Sequence, residues 1–227
     1  MANRAYLRVW TRDFNEQTMI VQFARFLTIL PVADSGPGFE RLIVQPIDST
    51  ETPIAEWDLK TGKFGAAEVA ALAAQNLAPD TAYIVDAKWD LWNFDIETLK
   101  WKKEPLPLEL MCQGPLFDDD IAATTGNFVA DLGFEHLFTG HAGLLAPGAA
   151  KNPFETSDHP LEKTFRSWMS SNSENLKQYH AKTRENIQKL FSWVEAIEAA
   201  LPVERSELLS EGEENFEARL DAILAQR

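Results

Sequence analysis

The residues best suited to chemistry fall in two short stretches. FEHLFTGHAG, residues 134–143, carries Glu135, His136 and His141, the mix of imidazole and carboxylate from which acid–base and hydrolytic metal sites are built. FDDDIAATTG, residues 117–126, carries Asp118, Asp119 and Asp120, and adjacent carboxylates invite a divalent cation. Spacing argues against a metal at either place. A calcium loop needs oxygen ligands at alternate positions around a glycine turn, and DDDIAATTG supplies neither. His136 and His141 would lie on opposite faces of a strand and about 140° apart on a helix, so neither element alone chelates. No HExxH pattern occurs, and the other two histidines lie in the helical region. The aspartates read instead as an acidic turn ahead of a helix N-terminus, where the dipole favours carboxylate. Cys112 sits in a leucine-rich strand, the setting of a small buried thiol. Glycine loops for phosphate and a GxSxG elbow are both missing from the sequence. No cofactor and no metal are expected.

Aromatic density is the other unusual feature. Trp89, Trp92, Phe94 and Trp101 crowd into and around LWNFDIETLKWKKEPLP. Within it, FDIETLKW repeats the order of WDLKTGKF at residues 57–64, with an Asp and a Thr spaced to make an Asx-type turn. Gly62 suits a left-handed position in the first turn, and Leu99 at the matching place in the second does not. The order is similar to the outer hairpin of a kelch-type propeller blade. Propellers need four or more blades, whereas this chain has two copies, no diglycine and long helical segments, so a propeller is set aside. Trp89 and Trp92 have opposite parity on an extended strand and cannot both face one core. Trp89, Trp92 and Trp101 are therefore the candidate binding residues, unless C-terminal helices cover them.

Bulk properties narrow the partners. The chain has 227 residues with 21 basic and 35 acidic side chains, a formal net charge of −14. The densest basic spot is Lys100, Lys102 and Lys103, too little for a phosphate backbone, so nucleic acid is not an expected partner. A single cysteine allows no internal disulfide. The N-terminal MANRAYLRVW turns polar within four residues, unlike a signal peptide, and no apolar run approaches the ~18 residues of a membrane span. The expectation is an acidic, soluble, cytoplasmic protein with no membrane partner.

These residues need elements to hold them. Ala5 to Trp10 alternates as a strand; Asn15 caps a helix through Ile20, Phe23, Leu27 and Leu30 that Pro31 stops. FERLIVQPI and TPIAEWDL read as adjacent strands, Ala66 to Leu77 as a helix, and Tyr83 to Leu91 as a half-buried strand. The order β-α-β-β-α-β predicts an α+β fold with a ferredoxin-like antiparallel sheet over residues 1–150, possibly as two related halves. Residues 105–113 extend it, with Pro105 and Pro107 favouring an edge. A short helix near Thr125 to Leu132 and a strand at Phe134 to Phe138 follow. From Asp158 onward the pattern is helical, with no strand expected: Leu161, Phe165 and Trp168 form one stripe, and Leu176, Tyr179, Thr183, Ile187, Leu190, Val194, Ile197 and Leu201 a second. Ser171 with Glu174 and Ser210 with Glu213 supply capping-box patterns. Residues 151–227 are thus a helical region that packs on the sheet or forms a dimer seam. The leading functional expectation is a non-catalytic binding or protein-interaction module. The alternative is an enzyme or small-ligand protein with a cleft lined by Glu135, His136, His141 and Asp118 to Asp120.

Overall fold

The computed structural model describes residues 3–34, 38–62, 64–141 and 160–225. Its strands are β1 (Arg4–Thr11), β2 (Phe39–Pro46), β3 (Ala55–Asp58), β4 (Thr81–Asp95), β5 (Lys100–Gln113), β6 (Phe128–Phe134) and β7 (Val203–Ser210). Its helices are α1 (Glu16–Thr28), α2 (Ala66–Ala73), α3 (Ala122–Thr125), α4 (His136–Thr139), α5 (Pro160–Ser171), α6 (Ser173–Ala200) and α7 (Phe216–Ala225).

All seven strands form one sheet in the order β3-β2-β4-β5-β6-β1-β7, and every neighbouring pair is antiparallel. The fold is α+β, and the first six elements follow the expected order. The ferredoxin-like arrangement does not form. That arrangement would place β1 beside β4 within the first four strands. Here the long β4–β5 hairpin and then β6 occupy that side of β4, and β1 pairs with β6 and β7 instead. The 15 residues of β4 make a complete ladder with β5, the next segment in the chain, and β5 occupies the edge that β1 would have used.

Alternation builds the core. Leu7 and Val9, Leu42 and Val44, Tyr83, Val85 and Trp89, Leu108 and Leu110, and Phe128 and Ala130 all turn to one face and are essentially inaccessible. Helices α1 and α6 cover that face: Phe23 meets Tyr83 at 5.3 Å and Phe26 stacks on Phe128 at 4.8 Å, while Trp193 meets Trp89 at 6.0 Å and Phe26 at 5.9 Å. The start of α1 is fixed by Asn15, whose side chain accepts from Gln17 and Thr18 backbone N–H at 2.9 and 3.1 Å, satisfying donors the helix leaves unpaired.

Several boundaries differ from those read in the sequence. The short helix expected from about Thr125 to Leu132 lies earlier, as α3, which ends at Thr125: Gly126, at φ +102°, stops it, and Phe128, Ala130 and Leu132 then alternate inward as β6. Of the strand expected at Phe134 to Phe138, Phe134 ends β6 and His136 to Phe138 belong to α4. β5 is central rather than an edge. Its prolines are tolerated because β6 pairs only with Glu109 to Cys112, leaving Pro105 and Pro107 with β4 alone and no ladder bond lost on the other side. The C-terminal part is not purely helical, since Val203 to Ser210 returns to pair with β1. Ser210 therefore ends a strand rather than capping a helix, and α6 is capped by Asn172, which accepts from Glu174 N–H at 2.9 Å, rather than by Ser171. The cap expected at Asp158 lies outside the described residues.

Candidate functional site

The predicted polar residues do not converge. Asp118, Asp119 and Asp120 precede β6, and Asp118 N–H donates to Ile47 O at 2.7 Å at the end of the sheet where β2 finishes. Glu135, His136 and His141 follow β6 at its opposite end, a strand of seven residues away. Among the described residues no single cleft joins the two groups. The three aspartates adopt left-handed φ of 51°, 53° and 64° in succession, a conformation Asp tolerates better than most residues. Among the described residues no group of three or more His, Cys, Asp and Glu is arranged to hold a metal ion.

Within the second group the contacts are structural. His136 and His141 lie with ring centroids 4.3 Å apart, and His141 Nδ1 is 2.6 Å from the Tyr179 hydroxyl of α6. Burial, followed by the neighbouring His136, pushes His141 down to about 3. Burial also lowers His136, against the pull of Glu135. Glu135 accepts from the Ser210 hydroxyl and from Gly212 N–H at 3.2 Å, so its carboxylate ties α4 to the end of β7. Cys112 is wholly buried opposite Phe128, at the far end of β6 from the histidines, and burial raises its thiol.

The tryptophans are mostly covered. Trp89 is fully buried in the main core. Trp101 packs against Phe94 and Tyr179 at 5.2 and 5.0 Å. Trp92 is half-buried, with Lys182 over its ring at 3.7 Å and its indole N–H donating to Glu185. Beyond the reach of β6, the β4–β5 hairpin is a two-stranded ribbon, which twists more than a sheet. One helix, α6, therefore meets Trp89 on one face of the ribbon and Trp92 on the other. The turn at its tip is of the expected kind, since Asp95 accepts from Glu97 and Thr98 N–H at 2.9 and 3.1 Å. Leu99, not Gly62, takes the left-handed position, at φ 54°.

A different surface is open. On the sheet face opposite α1 and α6, β-pairing aligns two rows of side chains. One row reads Glu207, Arg8, Val129, Met111, Ile84, Ile43 and Glu56 across the sheet. Its four central members are apolar, adjacent and only half-buried. The next row reads Tyr6, Asp131, Glu109, Asp86, Arg41 and Asp58. Asp131 is held by Arg4 at 2.6 Å and Asp86 by Arg41 at 2.7 Å. Glu109, between them, has no ion pair or hydrogen bond from its carboxylate among the described residues. Although Glu109 is exposed as a residue, its carboxyl titrates above the usual carboxylate range, first through desolvation and then through Asp86 and Asp131. Like charges directly opposite on neighbouring strands are unfavourable.

Where the α3 turn overhangs this face, Tyr6, Arg8, Met111, Gln113, Ile121 and Val129 line a depression of about 230 Å³. It lies one residue pair along the strands from Glu109, about 7 Å. Alternation along Tyr83 to Leu91 turns Ile84 and Asp86 outward, but the rows exist only through cross-strand register, which no single segment encodes. Among the described residues no helix is long and apolar enough to cross a membrane. Comparison with protein-family models, with curated proteins and with solved structures finds no match for this chain.

Proposed function

We propose that this chain is a non-catalytic protein-interaction module whose working surface is the open sheet face, and that its partner presents a Lys or Arg flanked by apolar side chains. The observation that carries this reading is the in-register row Ile43–Ile84–Met111–Val129 on a face that α1 and α6 leave bare. Half-buried aliphatics in line across four strands form a contiguous apolar strip, the kind of surface that marks an interaction site.

Charge specifies the occupant. Glu109 lies between two carboxylates that are each already held by an arginine, and among the described residues no cation stands within ion-pair distance of its own carboxylate. A basic side chain set over Glu109 would relieve that repulsion, while an apolar neighbour about 7 Å along the chain would reach the depression beside Met111 and Val129. Pre-formed strands make such docking cheap in conformational entropy.

Selection of displayed random peptides against the protein tests the reading. Recovered sequences should pair Lys or Arg with apolar residues, and should lose binding to Glu109→Lys and to Ile84→Lys. Recovered peptides without basic residues, or binding that survives both substitutions, would overturn it.

A further inference from the structure

The two edges of the sheet are unlike. β3, at one edge, has four residues, and very short edges are a common protection against unwanted pairing. β7, at the other, has eight. Glu211 N–H donates to Arg4 O at 3.0 Å, which sets the phase of the β1–β7 ladder. In an antiparallel pair, alternate residues point their backbone groups at the partner strand. Arg205, Glu207 and Leu209 therefore face β1, and Ser206, Leu208 and Ser210 direct their N–H and C=O groups outward. Among the described residues no backbone partner meets them.

We infer that this edge pairs with the same edge of a second copy of the chain, antiparallel and centred on Leu208. The register follows by elimination. A two-fold axis normal to the sheet relates the strands, so residues of equal parity must oppose one another. Centring on Arg205 or on Glu207 sets like charges face to face, and centring on Leu209 sets Glu207 against the partner's Glu211. Centring on Ser206 carries the pairing through Glu204 to Val203, across the shift between Trp10–Arg205 and Thr11–Val203, and centring on Ser210 sets Leu208 and Ser206 against the partner's Gly212 and Glu214, beyond the end of the strand. Centring on Leu208 uses only the regular run from Arg205 to Glu211. It opposes Arg205 to the partner's Glu211 twice, Ser206 to the partner's Ser210 twice, Glu207 to the partner's Leu209 twice, and Leu208 to the partner's Leu208.

The charges are ready for this. Glu211 accepts from Tyr6 hydroxyl and Arg4 N–H at 3.0 Å each but has no cation within ion-pair distance among the described residues. Arg205 is more than half exposed, with Glu207 at 3.6 Å and the Trp10 ring beneath it at 3.7 Å. The Arg205–Glu211 positions fall at non-hydrogen-bonded pairs, where opposing side chains approach most closely. Because the axis is normal to the sheet, both open faces lie on the same side of the joined sheet. The pairing stands whether or not those faces bind the partner proposed above.

Sedimentation equilibrium of the full chain over a range of concentrations tests the pairing, with circular dichroism confirming that each variant is folded. Wild type should dimerise reversibly. Arg205→Glu and Glu211→Arg should each weaken dimerisation by roughly tenfold or more, since either converts both ion pairs into like-charge contacts. The double variant R205E/E211R, and an equimolar mixture of the two single variants, should recover the dimer. A monomer at every concentration, a dimer indifferent to the single reversals, or a mixture that fails to associate would each overturn the inference.

Discussion

Replacing Asn186 by alanine removes a side chain of α6 that hydrogen-bonds to both the ribbon and α4. Its Oδ1 accepts from Trp92 N–H at 2.8 Å, and its Nδ2 donates to Trp92 O at 2.8 Å and to Leu137 O at 2.9 Å. The side chain is 2% exposed, so water cannot replace all three bonds. At about 1 kcal/mol each the loss is about 3 kcal/mol. Alanine's better helix propensity returns about 0.5 kcal/mol, leaving about 2.5 kcal/mol. Asn186→Asp should cost more, because it turns both donors into an acceptor facing two carbonyls and buries a charge. Urea unfolding followed by tryptophan fluorescence measures this: at an m-value of about 2 kcal/mol/M the alanine variant should move the midpoint down by roughly 1 M with unchanged m. A loss below about 1 kcal/mol, or an aspartate variant as stable as wild type, would refute the view that Asn186 pins the ribbon.

Two further outcomes follow from the ionisable groups. Glu109→Gln should stabilise the fold at neutral pH: the folded-state carboxyl titrates above its ordinary 4.5, so its ionised form opposes folding above that pH, and the gain should vanish below 4.5. Chemical denaturation at pH 7 and pH 4 checks the sign, and the same variant should bind a basic partner less well. His141 works in the other direction. Its folded pKa, about 3, lies below the ordinary 6.5, so stability is fully present above 6.5 and is lost as pH falls toward 3. His141→Gln should flatten the stability profile across that window, and an unchanged slope would contradict the burial argument.

Local elements were legible where one period dominated. The alternation of Tyr83 to Leu91 and the three-and-four spacing from Leu176 to Leu201 each identified an element because a buried face repeats at the period of its backbone, and Asn15 marked a helix start by its capping chemistry. β6 was missed because Gly126, Gly133 and the small Ala130 interrupt its apolar signal. β7 was missed because VERSELLS places charges on its outward side and a single buried Leu208 on the other. Strand order was beyond local pattern altogether: the hairpin competes with β1 for the edge of β4, and only the whole chain decides. The same holds for the site. His136 and His141 stood out by residue type, yet their surroundings make them neutral packing groups. Ile84, Met111, Glu109 and Asp131 are ordinary residues one by one and acquire meaning only when register sets them side by side.

The most direct test is the affinity of one selected basic, apolar peptide for three proteins, measured by titration calorimetry. These are the wild type, Ile84→Lys on the open sheet face and Val21→Lys on α1, where Val21 is 50% exposed on the opposite layer. A working surface on the sheet predicts that Ile84→Lys abolishes binding while Val21→Lys leaves it unchanged. Binding that survives Ile84→Lys and fails with Val21→Lys would move the functional surface to the helical layer and contradict the account.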